Sequence, residues 1–124
     1  MKEKMKLEDE AALLWPLLTF AARNQEILSY ARLDSLTGIA QQGLGEPLGL
    51  IYFYCEKKNL PALNSIVVKR DTGKPGIGYP GNLVEILFEQ ARVFVYDWKD
   101  QHTPVPRAAD FRPFLPKLKR YSTI

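Results

Sequence analysis

Three basic side chains, Lys69, Arg70 and Lys74, lie within six residues of one another along the chain. Gly73 and Pro75 make the same stretch a strong turn, since glycine supplies positive φ and proline presets φ. Lysine and arginine at such a tip suit contacts to phosphate oxygens, which position a protein without reading sequence. We therefore predict a nucleic-acid contact at this turn. A solvated basic hairpin is the alternative interpretation.

Residues suited to covalent or acid–base chemistry are few. Cys55 is the single cysteine, which excludes an internal disulfide framework and a multi-cysteine metal site, and we interpret it as a buried, inert thiol. His102 is the single histidine, and no nucleophile motif accompanies it. Glu85 and Glu89 lie four residues apart near Arg92, a pattern typical of a solvated ion-pair face. We predict no enzymatic activity, no cofactor, no metal and no small-molecule substrate.

Composition bounds the class of protein. The 124 residues are 46% hydrophobic and 25% charged, as expected for one globular domain. A net charge of +3 permits anionic partners without requiring them. No apolar run approaches the roughly 20 residues that span a bilayer, so no membrane association is expected. The N-terminus alternates lysine and glutamate where a signal peptide would have an apolar core, and we expect a cytoplasmic protein.

Hydrophobic periodicity predicts four helices around the basic turn. Pro16 is expected to kink or divide the first helix, because it lacks an N–H. Ser29 and Asn82 are predicted N-caps, and Gly38 a C-terminal stop. The apolar positions of the fourth helix are Leu83, Val84, Leu87, Phe88, Ala91, Val95 and Trp98. The predicted helices cover residues 7–24, 29–38, 46–59 and 83–98.

The remaining segments are a predicted hairpin and a tail. Residues 64–69 are expected to form a strand because they include contiguous β-branched side chains, and residues 77–79 its short return strand. From residue 99 onward, prolines interrupt every helical pattern and basic residues dominate. The predicted fold is mainly α with a small β-hairpin, a winged helix-turn-helix with an N-terminal and a C-terminal helix. Residues 1–98 form this single domain, and residues 99–124 form a Pro-rich basic tail packed on it or extending from it.

Residues 25–79 resemble the DNA-binding domain of the alkylguanine-DNA alkyltransferases and alkyltransferase-like proteins. That family has a Thr-Tyr-Gly-x-(Ile/Leu)-Ala helix, a helix carrying Arg-Ala-Val-Gly-x-Ala-Leu, a Pro-Cys-His-Arg-Val-Val strand and then a Gly-rich hairpin. The corresponding stretches here are Ser-Tyr-Ala-Arg-Leu at 29–33, Gln-Gly-Leu-Gly-Glu-Pro-Leu at 42–48 and Asn-Ser-Ile-Val-Val at 64–68, followed by the wing at 69–79. The resemblance lies in order and spacing more than in identity. It implies a winged-helix fold that binds DNA.

The same resemblance predicts which residues contact DNA, and the departures from the family's motifs exclude its alkyl-transfer reaction. Tyr30 matches the tyrosine that contacts the phosphate of the target nucleotide, although a core tyrosine is the alternative. Gln42 replaces the family's intercalating arginine, and Gln41 and Gln42 are predicted to hydrogen-bond base edges unless they form only a polar loop. Asn64 stands in place of the alkyl-accepting cysteine and Ser65 in place of the histidine after it. Without a thiolate, alkyl transfer at this position is chemically impossible.

Two functions remain open from the sequence. The first is a non-enzymatic module that contacts duplex DNA through the third helix and the basic wing, with the tail adding nonspecific affinity. The second is a protein-interaction domain, such as an immunity or inhibitor protein that binds and blocks a toxin or nuclease. The basic wing and tail favour DNA. Small size, modest net charge, the lost arginine at Gln42 and the acidic Glu46 favour a protein partner.

Overall fold

The computed structural model describes residues 5–76, 79–99 and 105–119, and these are mainly helical. The prediction of a mainly α chain is confirmed. Short 3-10 turns occur at Gln41–Gly43, Leu63–Ile66 and Arg112–Lys117. The other elements, in chain order, are α1 Leu7–Arg23, β1 Leu28–Ser29, α2 Tyr30–Thr37, α3 Gly45–Lys57, β2 Val67–Val68, α4 Leu83–Val95 and α5 Ala108–Phe111.

The two strands pair in parallel, with Leu28 opposite Val67 and Ser29 opposite Val68. The strand predicted over residues 64–69 is shorter than expected, because Leu63–Ile66 forms a 3-10 turn and only Val67–Val68 is extended. The partner of β2 is the two-residue strand β1, which leads into α2 and is too short for hydrophobic periodicity to predict. Residues 77–78 of the expected return strand lie outside the described residues, so the hairpin stays a prediction.

The helix ends follow local sequence signals. The Ser29 hydroxyl accepts a 3.0 Å hydrogen bond from the backbone N–H of Arg32, and Gly38 ends α2 with a φ of 79°. The Asn82 side chain accepts from the backbone N–H of Glu85, whose carboxylate accepts from the N–H of Asn82 in return. Both predicted N-caps are confirmed. These interactions satisfy amide groups that a helix start otherwise leaves unpaired.

Helices α1 and α3 form the centre of the core. Helix α1 runs without a break through Pro16, which is exposed, so the proline does not divide it. Trp15 of α1 packs edge-on against Tyr54 of α3, with ring centroids 5.4 Å apart. Fully buried leucines and isoleucines complete this core: Leu14, Leu18, Leu33, Leu44, Leu48, Leu50, Ile51, Leu63 and Ile66.

The described part of the Pro-rich tail packs on this core. Phe111 is fully buried, and its ring lies 5.2 Å from Tyr54 and 6.2 Å from Trp15. Arg112 forms an ion pair with Glu8 of α1 at 3.3 Å. The prolines do not prevent helix formation here, because α5 fits into the four residues Ala108–Phe111. Residues 105–119 are therefore part of the packed structure.

The side of helix α4 that faces the core is not its most apolar side. Ile86, Gln90 and Val93 face the core, and the side chain of Gln90 donates a 2.8 Å hydrogen bond to the carbonyl of Ser65. The larger apolar stripe is turned outward, with exposures from 50% for Leu83 to 82% for Val95. We call this stripe the α4 apolar face; it comprises Leu83, Val84, Leu87, Phe88, Ala91 and Val95.

Candidate nucleic-acid interface

The basic residues of the predicted wing stand on a tight turn that directly follows β2. The backbone N–H of Lys69 donates to the carbonyl of Lys74 at 2.8 Å, and the N–H of Gly73 donates to the carbonyl of Lys69 at 2.7 Å. Gly73 has a φ of 69°, a left-handed conformation that glycine adopts without steric penalty. The hydroxyl of Thr72 also accepts from the N–H of Lys74 at 3.2 Å. We call residues 69–76 the wing turn.

The wing turn presents its charges to solvent. Arg70 and Lys74 are exposed and Lys69 is partly exposed, while Asp71 is the single acidic residue among residues 69–76. All three predicted phosphate-binding side chains are thus brought onto one short turn. Because its backbone is fixed by internal hydrogen bonds, the turn can offer these cations to an anion with little ordering of the main chain.

Tyr30 lies inside the structure, where it supports the wing turn. It is only 9% exposed, and its hydroxyl is hydrogen-bonded by the backbone of Gly76 at the end of the turn. Burial raises the pKa of the Tyr30 hydroxyl above its ordinary value of 10.0, and the hydrogen bond from Gly76 opposes this more weakly. This burial fits the alternative of a core tyrosine, and a direct phosphate contact by Tyr30 stays a prediction.

The two glutamines lie at the entrance to α3. Gln41 and Gln42 are both exposed, in the 3-10 turn that precedes the helix. The helix itself is largely buried, and Glu46 is the exposed residue of its first turn. The body of α3 belongs to the core, and a DNA contact through the third helix stays a prediction. A carboxylate at this end opposes phosphate binding beside the glutamines.

The position that matches the family's reactive cysteine is closed to solvent. Asn64 and Ser65 are both buried in the 3-10 turn ahead of β2. Cys55 is also fully buried, and burial raises the pKa of its thiol to about 12 although the Leu63 backbone hydrogen bond opposes the shift. A thiol with this pKa is protonated at neutral pH and is a poor nucleophile. The interpretation of Cys55 as a buried thiol is confirmed.

Sequence reasoning missed a groove of about 500 Å³ between α3, α4 and residues 79–81. Two of the three carboxylates that line it, those of Glu85 and Glu89, have structural partners. The Glu89 carboxylate accepts from the backbone N–H of Ala62 at 2.6 Å and pairs with Arg92 at 2.8 Å, as the ion-pair interpretation predicted. Glu85 caps α4. In the described ranges, no group of three or more histidine, cysteine, aspartate and glutamate side chains is arranged to hold a metal ion.

Comparison of the chain with known proteins found no relative. The chain matched no protein-family model, no curated protein and no solved structure. Within residues 5–76, 79–99 and 105–119, no helix has both the length and the apolar character needed to cross a bilayer.

Proposed function

We propose that the protein is a non-enzymatic nucleic-acid-binding module that contacts duplex DNA through the wing turn. The observation that carries this proposal is the placement of Lys69, Arg70 and Lys74 on one hydrogen-bonded turn. The turn is anchored to β2 at its start and to Tyr30 at its end. Such an anchored basic tip suits contacts to phosphates, which give affinity without sequence preference.

The order of elements supports a winged-helix assignment for residues 25–79. Helix α2, the turn that carries Gln41 and Gln42, helix α3, β2 and the wing turn follow in the order that the alkyltransferase resemblance implies. The parallel pairing of β1 with β2 brings the start of α2 beside the start of the wing turn. Gln41 and Gln42 would then contact the duplex together with the basic residues. In this proposal the module has the family's DNA-binding arrangement but no alkyl-transfer chemistry.

Fluorescence anisotropy with a labelled duplex, measured over a series of salt concentrations, tests the proposal. The combined Lys69→Ala, Arg70→Ala and Lys74→Ala variant should bind more weakly. Its plot of log affinity against log salt should be less steep, with the magnitude of the slope reduced by about 2 to 3, since each phosphate contact contributes roughly 0.9. The matched control is Lys6→Ala, Lys57→Ala and Lys99→Ala, which removes the same charge from exposed sites elsewhere. No binding at low salt, or equal losses in both triple variants, would overturn the proposal.

A second candidate function is a protein-interaction domain, such as an immunity or inhibitor protein. The α4 apolar face is the observation that favours it, because exposed apolar patches of this kind mark binding surfaces. Affinity purification from native lysate after nuclease treatment tests it. One dominant partner that is retained by the wild type and lost with Phe88→Glu would support this function. Recovery of the same proteins by both chains would count against it.

A further inference from the structure

The α4 apolar face has the spacing of a helix–helix seam. Val84, Phe88, Ala91 and Val95 recur at intervals of four, three and four residues, which is the a/d spacing of paired helices. Leu83 and Leu87 border this row on one side. A lone surface helix needs a single apolar stripe toward its core, and Ile86 and Val93 already provide that stripe here. The second row therefore has no role within the described structure.

We propose that the α4 apolar face binds the same face of a second copy of this chain, with the two α4 helices antiparallel. In antiparallel pairs an a position faces a d position of the partner helix. A two-fold axis between residues 89 and 90 then places Phe88 against the partner's Ala91, and Val84 against the partner's Val95. The largest side chain meets the smallest one, so the face is complementary to itself as two-fold symmetry requires.

Charge along the edge of the row also fits a second copy. Glu85 and Arg92 lie seven residues apart and border the row on the side away from Leu87. Antiparallel pairing brings Glu85 of each copy near Arg92 of the other, so opposite charges meet at both ends of the seam. In a parallel pair the charged edge of each helix would instead face the Leu87 edge of its partner, so Glu85 and Arg92 would have no oppositely charged group opposite them. The edge charges therefore select the antiparallel orientation.

The exposed area is large enough to contribute most of a dimer interface. Five side chains of the face each expose half or more of their surface, with Phe88 at 69% and Val95 at 82%. Together they present apolar area on the order of 500 Å². A standard interface buries about 800 Å² on each partner. The seam thus supplies more than half of that area, and the charged edge adds to it.

Sedimentation equilibrium of the full chain over a wide concentration range tests the dimer. The wild type should show a reversible equilibrium between the mass of one chain and that of two. Phe88→Glu should weaken association by at least about a hundredfold, because both copies then lose an apolar contact and gain a charge. Leu36→Glu is the matched control on α2, where Leu36 is exposed by a similar fraction to Leu87, and it should leave the equilibrium unchanged. Phe88 is exposed in one chain, so its substitution should not unfold the protein.

Disulfide trapping tests the register. In a Cys55→Ser background, chains with Val84→Cys and chains with Val95→Cys should form a disulfide-linked pair faster when mixed than either does alone. A monomer at all concentrations would overturn the proposal and assign the face to a different occupant. Association that Phe88→Glu leaves intact, or faster linkage within either single-variant sample, would overturn it as well. These outcomes do not depend on DNA binding, because none of the substitutions lies in the wing turn.

Discussion

The hydroxyl of Tyr30 lies against the backbone of Gly76, and this contact joins the start of α2 to the end of the wing turn. A Cβ at position 76 would overlap the Tyr30 hydroxyl, so the buried tyrosine would have to shift to accommodate it. The glycine is thus required for close approach, and the tyrosine for the hydrogen bond. The placement of the basic tip depends on both.

Gly76→Ala should therefore destabilise the protein by about 1–3 kcal/mol, as overpacking against a buried ring does. Urea unfolding measures this change. Gly43→Ala is the matched control, since the nearest atom to a Cβ at position 43 is 3.9 Å away on Ile39 and a methyl group fits.

A second substitution isolates the contact. Tyr30→Phe removes the overlapping oxygen at a cost of about 1 kcal/mol for the lost hydrogen bond. In the Tyr30→Phe background, Gly76→Ala should be markedly less destabilising than in the wild type. Equal effects in the two backgrounds would show that the methyl group is rejected by something other than the hydroxyl.

Local signals explain which parts of the fold were predictable. The starts of α2 and α4 follow from Ser29 and Asn82, because an N-cap acts on amides two or three residues away. The end of α2 follows from Gly38 for the same reason. The placement of basic side chains on a turn was also predictable, since the turn-forming residues and the charged residues are neighbours in the sequence.

Long-range packing explains the differences. Helix α4 is apolar around more than half of its circumference, and periodicity alone cannot say whether Ile86 or Phe88 meets the core. The sequence around Tyr30 is compatible with an exposed or a buried tyrosine, and its burial depends on contact with Gly76, which is distant in sequence. The short helix Ala108–Phe111 could not be predicted because it is held by packing of Phe111 against both Trp15 and Tyr54, partners far away in sequence.

The buried amide of Gln90 supports the segment that leads to β2. Its Nε2 donates to the Ser65 carbonyl at 2.8 Å, and Gln90→Leu would leave that buried carbonyl without this donor. We expect a loss of about 1–3 kcal/mol in the free energy of unfolding, measured by urea denaturation. Gln41→Leu, at an exposed glutamine, should change stability little. A small effect at position 90 would mean that the carbonyl finds another donor.

The thiol of Cys55 should be unreactive in the native protein. Burial raises its pKa to about 12 and also blocks access, so modification by an aromatic disulfide reagent at about pH 8 should require local or global opening. The rate should rise steeply as denaturant approaches the unfolding midpoint. A Cys55→Ser, Ser35→Cys variant carries an exposed thiol instead and should react at once. Rapid reaction of native wild type would contradict the buried placement.

The ion pair between Glu8 and Arg112 should make stability depend on pH in the acidic range. The pKa of Glu8 is lowered from its ordinary value of 4.5, mainly by a hydrogen bond from its own backbone and also by Arg112, against an opposing effect of burial. A lowered pKa in the folded state means that the carboxylate stabilises the protein above pH 4.5 and loses this effect as pH falls through the folded value. Glu8→Gln should therefore flatten the fall in Tm between about pH 6 and about pH 3.

The contribution of the tail is separated by Arg112→Gln. This variant should flatten the acidic fall in Tm less than Glu8→Gln, because the backbone hydrogen bond of Glu8 is the larger cause of its lowered pKa and stays in place. The double variant should behave as Glu8→Gln alone, since no carboxylate is left at position 8 for Arg112 to contact. If Arg112→Gln alone flattened the acidic fall in Tm as much as Glu8→Gln does, the guanidinium would be the dominant cause of the lowered pKa of Glu8. If it changed nothing, the contact that joins the tail to α1 would contribute no pH dependence.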